Sequence, residues 1–290
     1  MAADAPYFSV IVPVYQQWHL VPTLLRCLKE QTTERESFEV ILVDNEAQPS
    51  TRPELESLAT VVHCAKPGSY AARNAGAAIA RGKWFSFTDA DCRPDQDWLA
   101  QLHRLIGNLP TDTLIGGNIV MVSDHEHPNA FEMYDIVKGI PQQRYVGRHY
   151  AATANLSASA SLFHKIGGFD ATRLSGGDAD FCRRAAIAGV GIVFAEQARV
   201  FHPARSTWHE LTTKVRRVKG GQVTAGTWKR RMAWALRSLT PPLRALYRFA
   251  KKPNTPLRYR LTAMVLQMGL WLVEVVEMIR LLAGFSPERK

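Results

Sequence analysis

The stretch WFSFTDADCRPD, residues 84–95, sets an apolar run against two carboxylates two residues apart and closes near a proline. An apolar run of this length that stops at polar, turn-forming residues reads as a buried strand. Side chains alternate along a strand, so Asp89 and Asp91 point to the same side, about 7 Å apart along the backbone. Two readings of the pair stay open. Oxygen donors at that spacing suit magnesium or manganese, which relieves their mutual repulsion. Alternatively, Asp91 only closes the strand, and Asp95 after Pro94 begins the next helix.

Outward from this stretch the same kind of run recurs. FSVIVPV (8–14), FEVILV (38–43) and VVHCA (61–65) join WFSFT (84–88) as strands, with helical patterns at about 19–31, 53–59, 69–80 and 95–106. Strands alternating with helices predict an α/β fold with a mostly parallel sheet covered on both faces. Further on, TLIGGNIVMV (113–122) and GIVFAE (191–196) read as strands, and 179–188 as a helix ended by Gly189. The segment 124–150, rich in His, Pro and Gln, reads as an irregular, substrate-facing excursion. Open α/β sheets bind ligands beyond the carboxyl ends of their strands. That rule selects Tyr15, Asp44 with Asn45, and Asp89 with Asp91.

Composition bounds the alternatives. At 290 residues and 46% hydrophobic, the chain can bury one large domain with an appendage, or two smaller domains. The formal charge of +10 is unevenly placed: residues 1–210 carry a net −4 and residues 211–290 a net +14. Four scattered cysteines, Cys27, Cys64, Cys92 and Cys182, form no CxxC or Cys/His cluster, which argues against a zinc site or disulfide framework and for a reducing cytosol. The N-terminal MAADAPYF has no basic region leading into an apolar core, so no signal peptide is expected. No GxGxxG follows the first strand and no GxxxxGK[ST] occurs, so neither nucleotide-binding loop is expected.

The combination of FSVIVPVYQQ, VILVDNEA and KPGSYAARNAGAAIARGKWFSFTDADCRPDQDWL resembles the family 2 glycosyltransferases, which have the GT-A fold, Rossmann-like with flanking helices. A second block, 153–205, with its GGFD turn, its acidic SGGDAD helix start and its late HP, looks like the acceptor-side half of the same family. The resemblance covers about two thirds of the chain. It implies an inverting transferase that adds one sugar per encounter, since the QxxRW of processive synthases is missing, and that uses a divalent metal, Mn or Mg.

The donor would be a nucleotide sugar, of UDP type, contacted by Pro13, Tyr15, Asp44, Arg73 and Asp89. Asp91 would ligate the metal directly, with Asp89 and His202 as further ligands. Asp178 would be the catalytic base, with Asp180 as runner-up, because the family's usual Glu-Asp pair here reads Gly177-Asp178. Arg205, three residues after His202, would balance phosphate charge when the loop closes. Rival readings are a nucleotidyltransferase, which lacks its Gly-rich basic loop after the first strand, and a non-catalytic binding module on the same fold.

These readings divide the chain into a GT-A domain at 1–210, with a nucleotide-sugar half at about 7–115 and an acceptor half at about 116–210, and a basic amphipathic helical extension at 211–290. From Leu211 to Val273 the extension holds no acidic residue, and large apolar residues interleave with its cations. That pattern suits a membrane interface better than nucleic acid, which is not expected as a partner. The last helix, about 257–283, carries apolar residues at Leu261, Met264, Val265, Met268, Leu272, Val275, Ile279 and Leu282. Its longest uncharged stretch, 13 residues, is too short to span a bilayer, so the stripe packs on the body, pairs with another subunit or dips into lipid. The expected setting is the cytoplasm, peripheral on the inner face of a membrane, with a glycan or lipid-linked acceptor.

Overall fold

The computed structural model describes residues 5–52, 55, 58–110, 112–224 and 227–287. It forms two compact units: Met1–Val120 with Ile140–Thr172 and Gly177–His202, and Met121–Gly139 with Arg173–Gly176 and Pro203–Lys290. The strands in chain order are β1 (Phe8–Val14), β2 (Phe38–Asp44), β3 (Ala59–His63), β4 (Trp84–Phe87), β5 (Arg93–Pro94), β6 (Thr113–Val122), β7 (Leu156–Ser159) and β8 (Gly191–Pro203). The helices are α1 (Val21–Lys29), α2 (Ser69–Ile79), α3 (Trp98–Ile106), α4 (Ala130–Lys138), α5 (Gln142–Val146), α6 (Ala160–Lys165), α7 (Gly177–Ile187), α8 (Trp208–Thr224), α9 (Trp228–Ser238), α10 (Leu243–Ala250) and α11 (Leu257–Leu282).

Among the described residues eight strands form one sheet in the order β3-β2-β1-β4-β7-β6-β8-β5. The first four run parallel, as the alternation of strands and helices predicts. β1 is buried at every position, because helices cover both of its faces and an unbroken apolar run satisfies both. Its register, Val14 opposite Asp44 and Ile11 opposite Phe87, brings the carboxyl ends of β1, β2 and β4 to one edge. β7 is antiparallel to both β4 and β6.

Four expectations change in detail. β8 continues seven residues past the expected end at Glu196, because Gln197, Arg199 and Phe201 alternate with buried Ala198, Val200 and His202. An interrupted apolar run is how a strand with one buried face looks in sequence. Asp95 does not begin a helix: its carboxylate pairs with Arg199 at 2.9 Å and α3 starts at Trp98. The segment 124–150 is not irregular, since it contains α4 and α5. A capping box starts α4, the Asn129 side chain accepting from the Glu132 amide while Glu132 accepts from the Asn129 amide. The helix expected at 53–59 falls mostly on residues outside the described ones, and Ala59 opens β3.

The second unit is helical among its described residues, apart from the ends of β6 and β8. Tyr134, Val137, Leu211, Val215, Phe249, Ala263 and Leu270 form its core, and Val223, Ala235, Met278 and Leu281 a smaller cluster. α11 has the expected extent but buries Ala263, Gln267, Leu270, Glu277, Met278 and Leu281. Tyr134 donates to Gln267 at 3.1 Å, and Lys219 lies 3.3 Å from Glu274. Among the described residues no helix is long and apolar enough to cross a membrane.

Candidate active site

The site forms where β1, β2 and β4 end. Pro13 is buried in β1 opposite Val43, and Tyr15 lies one residue past the strand, half-buried. Gln16 adopts a left-handed backbone, φ 54°, and its amide donates to Glu46 at 2.8 Å, which ties the two strand ends together. Asp44 is buried, and both of its oxygens accept from the loop that follows: Ser50 N–H at 2.7 Å, Ser50 Oγ at 2.9 Å and Glu46 N–H at 3.3 Å. Asn45 holds the next loop, donating to Cys64 and Lys66 carbonyls and accepting from Gly68 N–H at 3.0 Å.

The ARNAG segment of α2 places each of its residues for a different purpose. Arg73 is buried and forms an ion pair with Asp89, while its Nε is buried with no hydrogen-bond partner. Asn74 clamps the backbone of Phe169 from both sides, donating to its carbonyl at 2.7 Å and accepting from its N–H at 2.9 Å. That clamp ties α2 to the GGFD turn, where Gly167 and Gly168 take positive φ. Gly76 lets α2 lie directly on the sheet, since a Cβ there would come within 2.6 Å of Ile11 and 2.9 Å of Val43.

Past β4, the two residues of β5 pair antiparallel with β8, Arg93 opposite Phe201 and Pro94 opposite Val200. One step further along that register brings Cys92 opposite His202. Asp89, Asp91, Cys92 and His202 each offer a donor atom, and these atoms all lie within 4.8 Å of one another. His202 Nε2 is 3.9 Å from Asp91 Oδ2, and Asp91 Oδ1 is buried without a hydrogen-bond partner. A cluster of carboxylate oxygens with an imidazole, one oxygen left unsatisfied, fits a divalent cation. Cys92, which directly follows the acidic pair, is a donor that the DxD spacing alone does not indicate. Burial, with Asp91 and Asp89 adding to it, pushes its thiol well above the ordinary value, and a hard cation such as Mg or Mn takes oxygen and imidazole donors in preference to a thiol.

The acidic start of α7 separates its two candidates. Asp178 is half-buried, accepts from the Tyr70 hydroxyl at 3.3 Å and from Ala179 N–H at 2.8 Å, and lies within the field of Arg73. Desolvation raises its carboxyl above the ordinary aspartate value despite those stabilising partners. Asp180 is buried and faces cations, Arg184 at 3.0 Å and Arg183 at 3.3 Å. Arg184 also donates to the carbonyls of Ile166 and Gly168, so Asp180 helps to fasten α7 to the GGFD turn. Gly177 stands where the family usually has Glu, and a Cβ there would meet the Tyr70 ring at 2.7 Å. The ring that positions Asp178 therefore occupies the space beside Gly177.

Arg73 links the two groups, pairing with Asp89 and acting on Asp178. Arg205, in the second unit, pairs with Asp135 at 2.9 Å. Three residues were missed. Tyr70 sits beside the ARNAG segment, and that proximity was the available signal. Tyr150, whose hydroxyl is pushed up to about 12 by burial, with Tyr145 and Asp178 adding to it, lay in the segment read as irregular. Asn155 is fully buried and joins three elements, accepting from Trp98 Nε1 at 3.0 Å and donating to the carbonyls of Asn118 and Ala198. A buried polar hub leaves no periodic trace in a sequence.

Known proteins share this arrangement of elements. A mannosyltransferase from Pyrobaculum calidifontis, solved in complex with GDP-Man and Mn2+, superposes with a TM-score of 0.59 at 16% identity, covering 95% of this chain and 87% of that one. S. aureus TarS residues 1–349, in complex with UDP-GlcNAc, gives 0.51 at 15% identity, covering 94% and 80%. At these identities the likeness shows the fold, GT-A. In sequence, the glycosyltransferase AglE of Haloferax volcanii is 32% identical over 234 residues, 77% of this chain and 75% of that protein. Residues 9–166, from β1 to the end of α6, match the family described as Glycosyl transferase family 2, and the chain belongs to that family of glycosyltransferases.

Proposed function

We propose that the protein is an inverting, metal-dependent hexosyltransferase that moves one sugar from a nucleoside-diphosphate donor, UDP-sugars being the first candidates, to an acceptor hydroxyl. The observation that carries this reading is the buried Asp91 oxygen without a partner, set among Asp89 and His202 at the end of β4. A buried carboxylate oxygen left unsatisfied costs about 1–3 kcal/mol, a cost that a bound cation removes. Such an ion, Mn or Mg, would neutralise charge on the departing diphosphate, and the imidazole in the donor set favours Mn.

The chain's own groups divide the remaining work. Arg73, buried beside Asp89 with its Nε unpaired, faces the phosphates. Pro13 and Tyr15 flank the nucleotide, and the nucleobase rests against the loop that Asp44 holds through Ser50. Asp178 accepts the acceptor's proton as that oxygen attacks the anomeric carbon from the side opposite the leaving phosphate oxygen, which inverts the configuration. A raised carboxyl makes Asp178 a better base than an ordinary aspartate, and its hydrogen bond from Tyr70 fixes its direction. Asp180, engaged by Arg183 and Arg184, serves structure in this reading.

Residues 1–210 carry the chemistry, with 7–115 toward the donor, 116–210 toward the acceptor and 211–290 appended. The acceptor is a glycan or lipid-linked molecule of envelope or exopolysaccharide synthesis at the cytoplasmic face of a membrane. A panel of nucleoside-diphosphate sugars, tested by thermal shift and by hydrolysis with Mn(II) or with chelator, checks the assignment. One nucleotide class should stabilise the protein only with metal, and Asp91→Ala should lose that effect. Metal-independent stabilisation, or none across the panel, would sink the reading.

A further inference from the structure

The surface of α11 is the reverse of what water selects. From residue 259 to residue 280 its exposed positions are Leu261, Val265, Met268, Leu272, Val276 and Ile279, which are 36% to 73% exposed. They recur every three or four residues and so form a single stripe, about 27 Å long. The polar residues Gln267 and Glu277 lie on the buried side of the same helix. A helix facing water normally carries the opposite pattern. A contiguous apolar stripe of this length marks an interaction surface.

Charge decides between occupants. Residues 211–290 carry a net +14, and Lys229, Arg231, Arg237, Arg244, Lys251 and Arg258 are exposed on α9, on α10 and its C-terminal end, and at the start of α11. The carboxylates Glu274 and Glu277 lie against Lys219 and Arg280 of the same unit, so they are already compensated. A second copy seated on the stripe would set two strongly basic segments against each other. An anionic bilayer complements them. Exposed Trp228, Leu243 and Tyr247 among the cations of α9 and α10 are the residue types that settle at a lipid–water boundary.

We infer that the outer stripe of α11, with the exposed cations of α9 and α10, is a docking surface for an anionic lipid bilayer, on which α11 lies in the plane of the interface. This deepens the membrane-surface part of the proposed function and is independent of its chemistry. The stripe enters the acyl boundary while the cations meet lipid phosphates, and no segment needs to cross.

Flotation of the full chain with vesicles of phosphatidylglycerol and phosphatidylcholine, against phosphatidylcholine alone, tests it. The wild type should bind the mixed vesicles at least about tenfold more tightly, and high salt should weaken binding. Val265→Glu with Leu272→Glu and Ile279→Glu should abolish flotation while leaving donor hydrolysis in solution intact. Should that variant not fold, Val265→Ser with Leu272→Ser provides a milder arm and should weaken binding in the same direction. Flotation unchanged in a folded variant overturns the inference. So does a wild type that ignores vesicles, including one that forms a dimer disrupted by these substitutions, which would assign the stripe to a second copy. Loss of donor hydrolysis in Asp91→Ala with flotation retained separates failure at the catalytic site from failure of docking.

Discussion

The two units differ in how their carboxylates are matched and in what they leave exposed. In the first, Asp91 Oδ1 past the end of β4 is buried without a hydrogen bond, and so is Nε of Arg73, the α2 residue that pairs with Asp89. In the second, buried Thr213 Oγ1 and Arg260 Nε also lack partners, but the carboxylates are matched, Asp135 by Arg205 and Lys214, Glu274 by Lys219 and Glu277 by Arg280. What stays uncovered there is apolar, along α11. Unsatisfied buried polarity points to a small charged ligand, and unsatisfied exposed apolarity to an extended apolar one. One chain thus carries two incomplete surfaces that call for chemically opposite partners.

That contrast can be broken at four points, given from the largest effect to the smallest. Asp91→Ala should lower sugar transfer by about a thousandfold or more while the thermal midpoint stays level or rises, because the deletion removes a buried unpaired oxygen. A stability loss that accounts for the lost activity would make Asp91 a structural residue. Asp178→Asn should lower kcat by roughly a hundredfold or more with little change in donor KM. In the wild type kcat should fall with acid below an inflection above the ordinary aspartate value, as expected for a base whose raised pKa means protonation begins early. If Asp178→Asn keeps that acid limb, another group is the base.

The third point tests the scaffold beneath the site. Gly76→Ala should destabilise the first unit by about 1–3 kcal/mol, since the new methyl has no room against Ile11 and Val43. An unchanged unfolding midpoint would mean that α2 does not lie as close to the sheet as described. The smallest effect belongs to the second unit. Burial, with Arg205, Lys138 and Arg217 adding to it, pushes Lys214 down to about 7 in spite of Asp135. A lysine lowered on folding binds fewer protons in the folded chain between about pH 7 and its unfolded pKa, so stability should rise with pH across that window. Lys214→Met should therefore raise the thermal midpoint by about 3 °C at pH 6, the gain shrinking toward pH 9. A pH-independent difference would show that Lys214 stays charged throughout.

Much of the first unit was legible because its physics is local. β1 needed only an unbroken apolar run, and Asp44 and Asp89 followed from the rule that ligands gather at strand ends. The ARNAG segment could be read as a motif, yet the separate tasks of Arg73, Asn74 and Gly76 depend on Asp89, Phe169 and Ile11, distant in sequence. His202 could be named, but its position follows from the alternation of β8 and the two-residue pairing with β5. Helix α4 was missed even though its capping pair Asn129 and Glu132 was visible, because the surrounding His and Pro residues masked a short apolar face. Arg205 was set toward phosphate from its place three residues after His202, and its long-range ion pair with Asp135 left no trace in the sequence.

By itself the sequence determined the strand and helix alternation, the family, the acidic pair at a strand end and the change of charge after residue 210, because all of these reside in residue type and spacing. Only the tertiary structure gave Asp178 and Asp180 different surroundings, since which carboxylate meets Tyr70 and which meets two arginines depends on packing between distant segments. It also decided the fate of the α11 stripe. Periodicity identifies an apolar face, but whether protein covers that face is settled by packing across the whole unit.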